Sequence, residues 1–139
     1  MNLFANLSMH GTEELLPGRL FTTRMPRDIE TNPVMAENFR RKVKLYKLRA
    51  AMILTEPFEY MKYAGSNLEA FYKSLDLEIL VRPIPDFNIP NVSELFDDVK
   101  DITYLLAKGE NVLVHCAGGS GRTGMIVASV FRNLGKAQY

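Results

Sequence analysis

Residues 111–134 place a buried-strand pattern, a glycine-rich turn and a helix pattern in immediate succession, and this order limits the folds open to the chain. The apolar run at 111–114 predicts a buried strand. Gly118, Gly119 and Gly121 follow, and they permit backbone angles closed to other residues, so that consecutive N–H groups can turn inward. From Arg122 onward, apolar residues recur at helical spacing. The loop therefore ends at a helix N-terminus, whose free N–H groups and dipole favour a negative ligand.

The single cysteine of the chain, Cys116, begins this loop, and five residues separate it from Arg122. Inward N–H donors, a helix N-terminus and a guanidinium would stabilise a thiolate, which is the nucleophilic form of cysteine. A planar guanidinium also binds two oxygens of a phosphate at once. We expect His115 to support the loop by hydrogen bonding to its backbone. The predicted phosphate-binding residues are Ala117, Gly118, Gly119, Ser120, Gly121 and Arg122.

Other glycine-loop motifs fit the segment less well. Gly119, Gly121 and Gly124 satisfy G-x-G-x-x-G, but a dinucleotide-binding unit needs an acidic residue about 20 positions further on, and no acid follows Gly124. The triphosphatase loop fails because Cys116 occupies the position of its first glycine and Arg122 that of its lysine. A serine-hydrolase elbow fails at Arg122, where its last glycine belongs. A rhodanese-type sulfurtransferase stays a distant alternative.

The run His115-Cys116, five residues, Arg122-Thr123 resembles the signature of the cysteine-dependent protein phosphatases, the superfamily of tyrosine and dual-specificity enzymes. The resemblance covers roughly the last 60 residues and is looser over the first 60. It implies an α/β fold with a mainly parallel, mixed sheet flanked by helices. Domains of that superfamily continue for one or two more helices, so that a chain ending at Tyr139 is expected to lack them, as a fragment or as a minimal fold.

The resemblance also implies a mechanism that needs a general acid opposite the cysteine. Asp86 lies 30 residues before Cys116 in the proline-rich segment VRPIPDFNIP and is the predicted acid. In the family, the hydroxyl at the position of Thr123 hydrogen-bonds the cysteine sulfur. Asp97, Asp98 and Asp101 are poorer candidates, because their spacing predicts the polar side of the next helix. No metal and no cofactor are expected.

We predict one domain over residues 1–139, with alternating strands and helices. The predicted strands cover about 18–23, 51–55, 77–81 and 111–114. Helices are predicted at about 35–48, 92–108 and from 122 onward. The stretch that follows the strand at 51–55 and runs to about residue 75 is helical or irregular.

Charge and composition exclude several classes of function. A formal charge of +1 argues against bulk nucleic-acid binding, and no apolar stretch is long enough for a membrane span. The N-terminus lacks a signal-peptide pattern, and a single cysteine is typical of a reducing compartment, so a cytoplasmic or nuclear location is expected. Residues 38–49 hold six basic residues and no acid, which predicts either a solvated helix face or a patch for acidic partners. Arg24 and Arg27 lie in the turn after the first predicted strand, where they either reach a substrate or have no specific role.

The substrate is predicted to be a phosphorylated protein, because residues 117–120 add no positive charge to the loop, whereas phosphoinositide phosphatases of the superfamily tend to carry lysines there. The motif that deepens the pocket in tyrosine-specific enzymes is not apparent in the first 60 residues. We therefore expect a shallow pocket for phosphotyrosine, phosphoserine and phosphothreonine. A phosphoinositide phosphatase and a non-catalytic phosphate-binding module are the alternatives, and the sequence does not predict an oligomeric state.

Overall fold

The fold is built on a five-stranded sheet in the computed structural model, which describes residues 8–10, 16–65, 67–84, 91–117 and 121–135. The strands are β1 (Ser8–His10), β2 (Leu20–Thr23), β3 (Leu48–Ile53), β4 (Glu78–Val81) and β5 (Asn111–His115). The helices are α1 (Pro33–Leu45), α2 (Pro57–Tyr63), α3 (Leu68–Lys73), α4 (Val92–Ala107) and α5 (Gly121–Asn133). In the order β1-β2-β5-β3-β4, the last four strands are parallel and β1 is antiparallel to β2. The predicted α/β class with a mainly parallel, mixed sheet is confirmed.

The two inner parallel strands, β3 and β5, are largely buried on both faces, which explains their nearly continuous apolar sequences. One face packs against α1, α2 and α3, where Phe39 and Tyr72 meet Leu113 of β5 in one core. The other face packs against α4 and α5, where Ile102 and Ile126 share a second core with alternate strand residues. The central strand β5 therefore lies between two hydrophobic cores, and Cys116 follows directly at its end.

The first helix begins and ends earlier than predicted. Asn32 caps it, because its side-chain oxygen accepts hydrogen bonds from the N–H groups of Val34 (3.1 Å) and Met35 (3.3 Å), and Pro33 suits the first helical position. After Leu45 the chain turns through Lys47, whose φ of 52° is left-handed and ends the helix. The prediction of helix over 35–48 was wrong at both ends, and β3 consequently starts three residues before the predicted strand at 51–55.

Candidate active site

The ends of three neighbouring strands converge around Cys116. The N–H of Leu54, which follows β3, donates to the carbonyl of His115 at 3.0 Å. The N–H of Met25, which follows β2, donates to the carbonyl of Ala117 at 2.9 Å. Cys116 is 2% exposed and is part of the core that faces α4 and α5. The loop thus leaves the carboxyl edge of the sheet, where α/β folds place their ligands.

Some predicted site residues lie outside the described residues. These are Gly118, Gly119 and Ser120 of the loop and the predicted acid Asp86. Of the other predicted phosphate-binding residues, Ala117 follows Cys116 directly, and Gly121 is the first residue of α5. The roles assigned to all these residues stay predictions.

Arg122 lies in the first turn of α5 and is buried, with 7% of its surface exposed. Its Nη1 and Nη2 atoms donate to the two carboxylate oxygens of Glu59, at 3.0 and 2.9 Å, and Nη1 also donates to the carbonyl of Ile84 at 3.0 Å. Two parallel bonds to one carboxylate fix the plane of a guanidinium. The orientation of Arg122 is therefore set by α2 and by the segment after β4.

Glu59 is a site residue that the sequence analysis missed. Besides the two bonds from Arg122, its carboxylate accepts a hydrogen bond from the N–H of Glu56 at 2.9 Å, which caps α2. Burial raises the pKa of the Glu59 carboxyl, but the bonds from Arg122 and Glu56 outweigh it and bring the pKa below the ordinary 4.5. Glu59 is therefore ionised beside the guanidinium at neutral pH.

His115 is completely buried and links the loop to α3. Its Nδ1 lies 3.0 Å from the carbonyl oxygen of Cys116, and its Nε2 lies 2.7 Å from the hydroxyl of Tyr72. A carbonyl can only accept, so Nδ1 carries the proton and Nε2 accepts from Tyr72. Burial lowers the pKa of His115 to about 4, which keeps the ring neutral. The expected hydrogen bond from His115 to the loop backbone is present.

Among the described residues, two buried side-chain hydroxyls at this edge of the sheet have no hydrogen-bond partner. They belong to Thr123 in α5 and Thr55 just after β3, which are 5% and 0% exposed. The predicted bond from Thr123 to the cysteine sulfur is thus not formed here. Buried polar groups without a partner are uncommon in proteins, and a catalytic role is one explanation for them.

Arg82 fixes the beginning of the segment that carries the predicted acid. Its Nη1 donates to Asp98 at 2.7 Å and its Nη2 to Asp101 at 2.5 Å, both on α4. Asp98 is buried, and burial raises the pKa of its carboxyl despite the bond to Arg82. The prediction that Asp98 lies on the polar side of this helix was wrong, because its carboxylate is buried where it accepts a hydrogen bond from Arg82.

Two other features are absent from the described residues. These residues contain no group of three or more His, Cys, Asp or Glu side chains that could hold a metal ion. No helix among them has both the length and the apolar character to cross a membrane.

A cysteine loop at the carboxyl edge of a parallel sheet, followed by a buried arginine on the next helix, defines the class: the cysteine-dependent dual-specificity phosphatase superfamily. Residues 32–136 match the family model described as "Polymorphic toxin system, DSP-PTPase phosphatase", and the chain belongs to this family.

Three similar proteins illustrate the range of relatives. This chain is 41% identical to phosphatidylinositol 3,4,5-trisphosphate 3-phosphatase cnrN of Dictyostelium discoideum over 71 residues. The aligned part covers 50% of this chain and 11% of that protein. The chain is 30% identical over 97 residues to the uncharacterised protein MJECL20 of Methanocaldococcus jannaschii, covering 62% of this chain and 66% of that one. It is 26% identical over 81 residues to cyclin-dependent kinase inhibitor 3 of Mus musculus, covering 58% of this chain and 38% of that protein.

Solved structures share the fold. Kinase associated phosphatase superposes with a TM-score of 0.77 at 18% identity, over 93% of this chain and 74% of that one. Tk-PTP in its active form gives a TM-score of 0.66 at 28% identity, over 84% and 69%. PTPMT1 in complex with PI(5)P gives 0.62 at 21% identity, over 81% and 66%.

Proposed function

We propose that this chain hydrolyses phosphomonoesters on proteins through a phosphocysteine intermediate, with phosphotyrosine and phosphoserine or phosphothreonine as substrates. The observation that carries the proposal is the orientation of Arg122, which lies six positions after Cys116. Its guanidinium is held by hydrogen bonds to Glu59 and to the carbonyl of Ile84. An oriented cation in the first turn of a helix that follows the cysteine loop suits the stabilisation of transferring phosphoryl oxygens.

The proposed cycle has two displacements at phosphorus. The thiolate of Cys116 forms the S–P bond while the bond to the leaving oxygen breaks, and Asp86 gives that oxygen its proton. Water then attacks phosphorus, Asp86 takes up the proton, and the S–P bond breaks to regenerate the thiolate. Arg122 and the loop amides stabilise the equatorial oxygens in both steps. Thr123 is assigned the stabilisation of the departing sulfur, a bond that its hydroxyl does not make in this structure and would gain during the second step.

A test of catalysis uses para-nitrophenyl phosphate with the wild-type chain and two variants. We expect turnover by the wild type, none by Cys116→Ser, and binding of inorganic phosphate with slow turnover by Asp86→Asn. Acid quenching during turnover should trap phosphate on the wild-type protein and not on Cys116→Ser. Turnover by Cys116→Ser would refute the mechanism. Phosphate binding by the wild type without any turnover would identify a non-catalytic phosphate-binding module.

A phosphoinositide phosphatase is the second candidate, favoured by the 41% identity to a protein named as a phosphatidylinositol 3,4,5-trisphosphate 3-phosphatase. The uncharged residues 117–120 favour a phosphoprotein instead, since an inositol ring with several phosphates needs more cations than Arg122 alone. Phosphate release from a phosphopeptide panel and from short-chain phosphoinositides at equal concentration decides between them. Higher kcat/KM on the peptides is the expected result, and higher kcat/KM on the lipids would overturn the phosphoprotein assignment.

A further inference from the structure

A basic groove lies at the amino edge of the sheet, away from the candidate active site. It is an open cavity of about 640 Å³ between the end of α1, the start of β3 and the turn before β4. We call it the basic groove and define it by five exposed basic residues of its lining, Arg40, Arg41, Lys44, Lys47 and Arg49.

The lining of the groove has a net positive charge, with five basic and two acidic residues. Within the described residues, none of its five basic side chains lies within 4.0 Å of a carboxylate. The whole chain has 17 basic and 16 acidic residues, and six of the basic ones fall in residues 38–49, which hold no acid. The remaining chain therefore carries 11 basic and 16 acidic residues. The cations are concentrated on one side of a chain that is otherwise acidic.

Two backbone irregularities shape this part of the groove. Lys47 has a φ of 52°, which a non-glycine residue seldom adopts. The pairing of β3 with β5 shifts register between Leu48 and Ala50, and this leaves Arg49 exposed in an otherwise buried strand. Such an irregularity redirects a side chain. Each feature places a basic side chain at the groove: the first at Lys47, where the helix has ended, and the second at Arg49, where the strand pairing is irregular.

The groove and the candidate active site are separate. Leu48, in the lining of the groove, pairs with Asn111 at the start of β5, whereas Ile53 pairs with His115 at its end. Five strand residues rise by roughly 15 Å in total. A small substrate at Cys116 would therefore not reach the groove.

We propose that the basic groove binds an acidic peptide segment of a partner protein, with an aliphatic side chain of that segment on its floor. Val43, Leu48 and Leu75 supply apolar lining between the cations. Glu37 and Asp76 also lie in the lining, where they suit peptide N–H groups as hydrogen-bond acceptors. They reduce the net positive charge of the lining, which disfavours a bilayer or a nucleic acid relative to a peptide whose N–H groups can donate to these carboxylates. The mixed lining is therefore matched to a peptide.

Binding is tested with a fluorescein-labelled, unphosphorylated decapeptide of eight glutamates and two leucines, by fluorescence anisotropy on the full chain. The double variant Arg41→Glu, Lys44→Glu should bind at least about tenfold more weakly, because two attractions become repulsions. A peptide with serine in place of leucine should also bind more weakly. The matched control Lys100→Glu, Arg132→Glu changes charge equally on α4 and α5, outside the groove, and should bind nearly as well as the wild type.

The outcomes separate this proposal from the proposed function. The groove variant and the control variant should hydrolyse para-nitrophenyl phosphate at the same rate. This comparison does not depend on how high that rate is. Equal peptide binding by both double variants would overturn the proposal, and so would equal binding of the leucine and serine peptides. Binding to vesicles containing phosphatidylserine with no binding of the peptide would also overturn it, in favour of a membrane contact.

Discussion

At the scale of single residues, the guanidinium of Arg122 depends on a carboxylate that is 63 positions away in the chain. Glu59 is the anionic member of a buried pair whose two side chains are 8% and 9% exposed. A buried pair with good geometry does little for stability compared with apolar residues, but losing one partner is costly. We therefore assign to this pair the role of orienting the Arg122 guanidinium.

Replacing Glu59 with glutamine should lower both catalytic efficiency and stability, because the buried guanidinium of Arg122 loses its anionic partner. An amide has one acceptor oxygen, so that one of the two parallel bonds to Arg122 is lost and the guanidinium can turn. We expect kcat/KM for para-nitrophenyl phosphate to fall by about 100-fold and inhibition by inorganic phosphate to weaken. Glu69→Gln, which alters the partner of the Tyr60 hydroxyl, is the control and should keep its phosphate affinity. Unchanged phosphate inhibition in Glu59→Gln would contradict the positioning role.

Thr123 offers a second residue-scale prediction, because its buried hydroxyl has no partner. Replacing it with the isosteric valine removes an unsatisfied polar group, so the free energy of unfolding should change by less than about 1 kcal/mol or rise. Breakdown of the phosphocysteine should slow, and acid quenching should trap more phosphate on Thr123→Val than on the wild type. A variant that loses several kcal/mol in urea unfolding would show that the hydroxyl is structural.

At the scale of elements, tight backbone contacts fix how β2 and β5 join the helices. A Cβ added to Gly18 would lie 2.2 Å from the carbonyl oxygen of Glu110 and 2.8 Å from the Cα of Leu106, both backbone atoms. The N–H of Gly18 also donates to the carbonyl of Leu106 at 2.8 Å. The chain can approach the end of α4 this closely only because residue 18 has no side chain.

A matched pair of alanine substitutions tests this approach. Gly18→Ala should reduce the free energy of unfolding by about 3 kcal/mol, because backbone must move to admit the methyl group. Gly124→Ala should raise it by about 0.5–1 kcal/mol, since a Cβ there meets nothing within 4 Å and alanine favours the helix α5. Urea unfolding monitored by circular dichroism measures both. A loss in Gly124→Ala comparable to that in Gly18→Ala would contradict the contact argument.

Local pattern predicted the elements better than it predicted the connections between them. The apolar run of β5 and the helical spacing after Arg122 are periodic over short windows, and both elements were confirmed. The end of α1 was missed because apolar spacing continues through Leu48, while the left-handed turn at Lys47 has no such signature. Glu59 and Tyr72 were missed as site residues because their partners, Arg122 and His115, are distant in sequence and are brought near only by the fold.

At the scale of the whole molecule, His115 couples the candidate site to global stability. It ends the central strand between the two cores and is bonded to the loop backbone on one side and to Tyr72 of α3 on the other. Burial lowers its pKa from the ordinary 6.5 to about 4, so the folded protein holds the ring neutral over a pH range in which the unfolded chain protonates it.

This difference fixes the sign of a pH effect on folding. Above pH 6.5 both states hold a neutral ring, and this residue gives no pH dependence. As the pH falls from 6.5 to about 4, only the unfolded chain gains the proton, and the free energy of unfolding decreases by up to about 3 kcal/mol. Below about pH 4 the folded protein is protonated too, and the decrease from this residue ends.

Urea unfolding of the wild type and of His115→Asn at several pH values between 4 and 7 isolates the contribution of His115. The carboxylates titrate in both proteins, so their effect cancels in the difference between the two free energies of unfolding. We expect the variant to be less stable at pH 7, where it loses the bonds to Tyr72 and to the loop. The gap in the free energy of unfolding between the two proteins should narrow by about 3 kcal/mol toward pH 4. Parallel stability curves would mean that His115 titrates alike in the folded and unfolded chains, and would contradict its burial as a neutral ring.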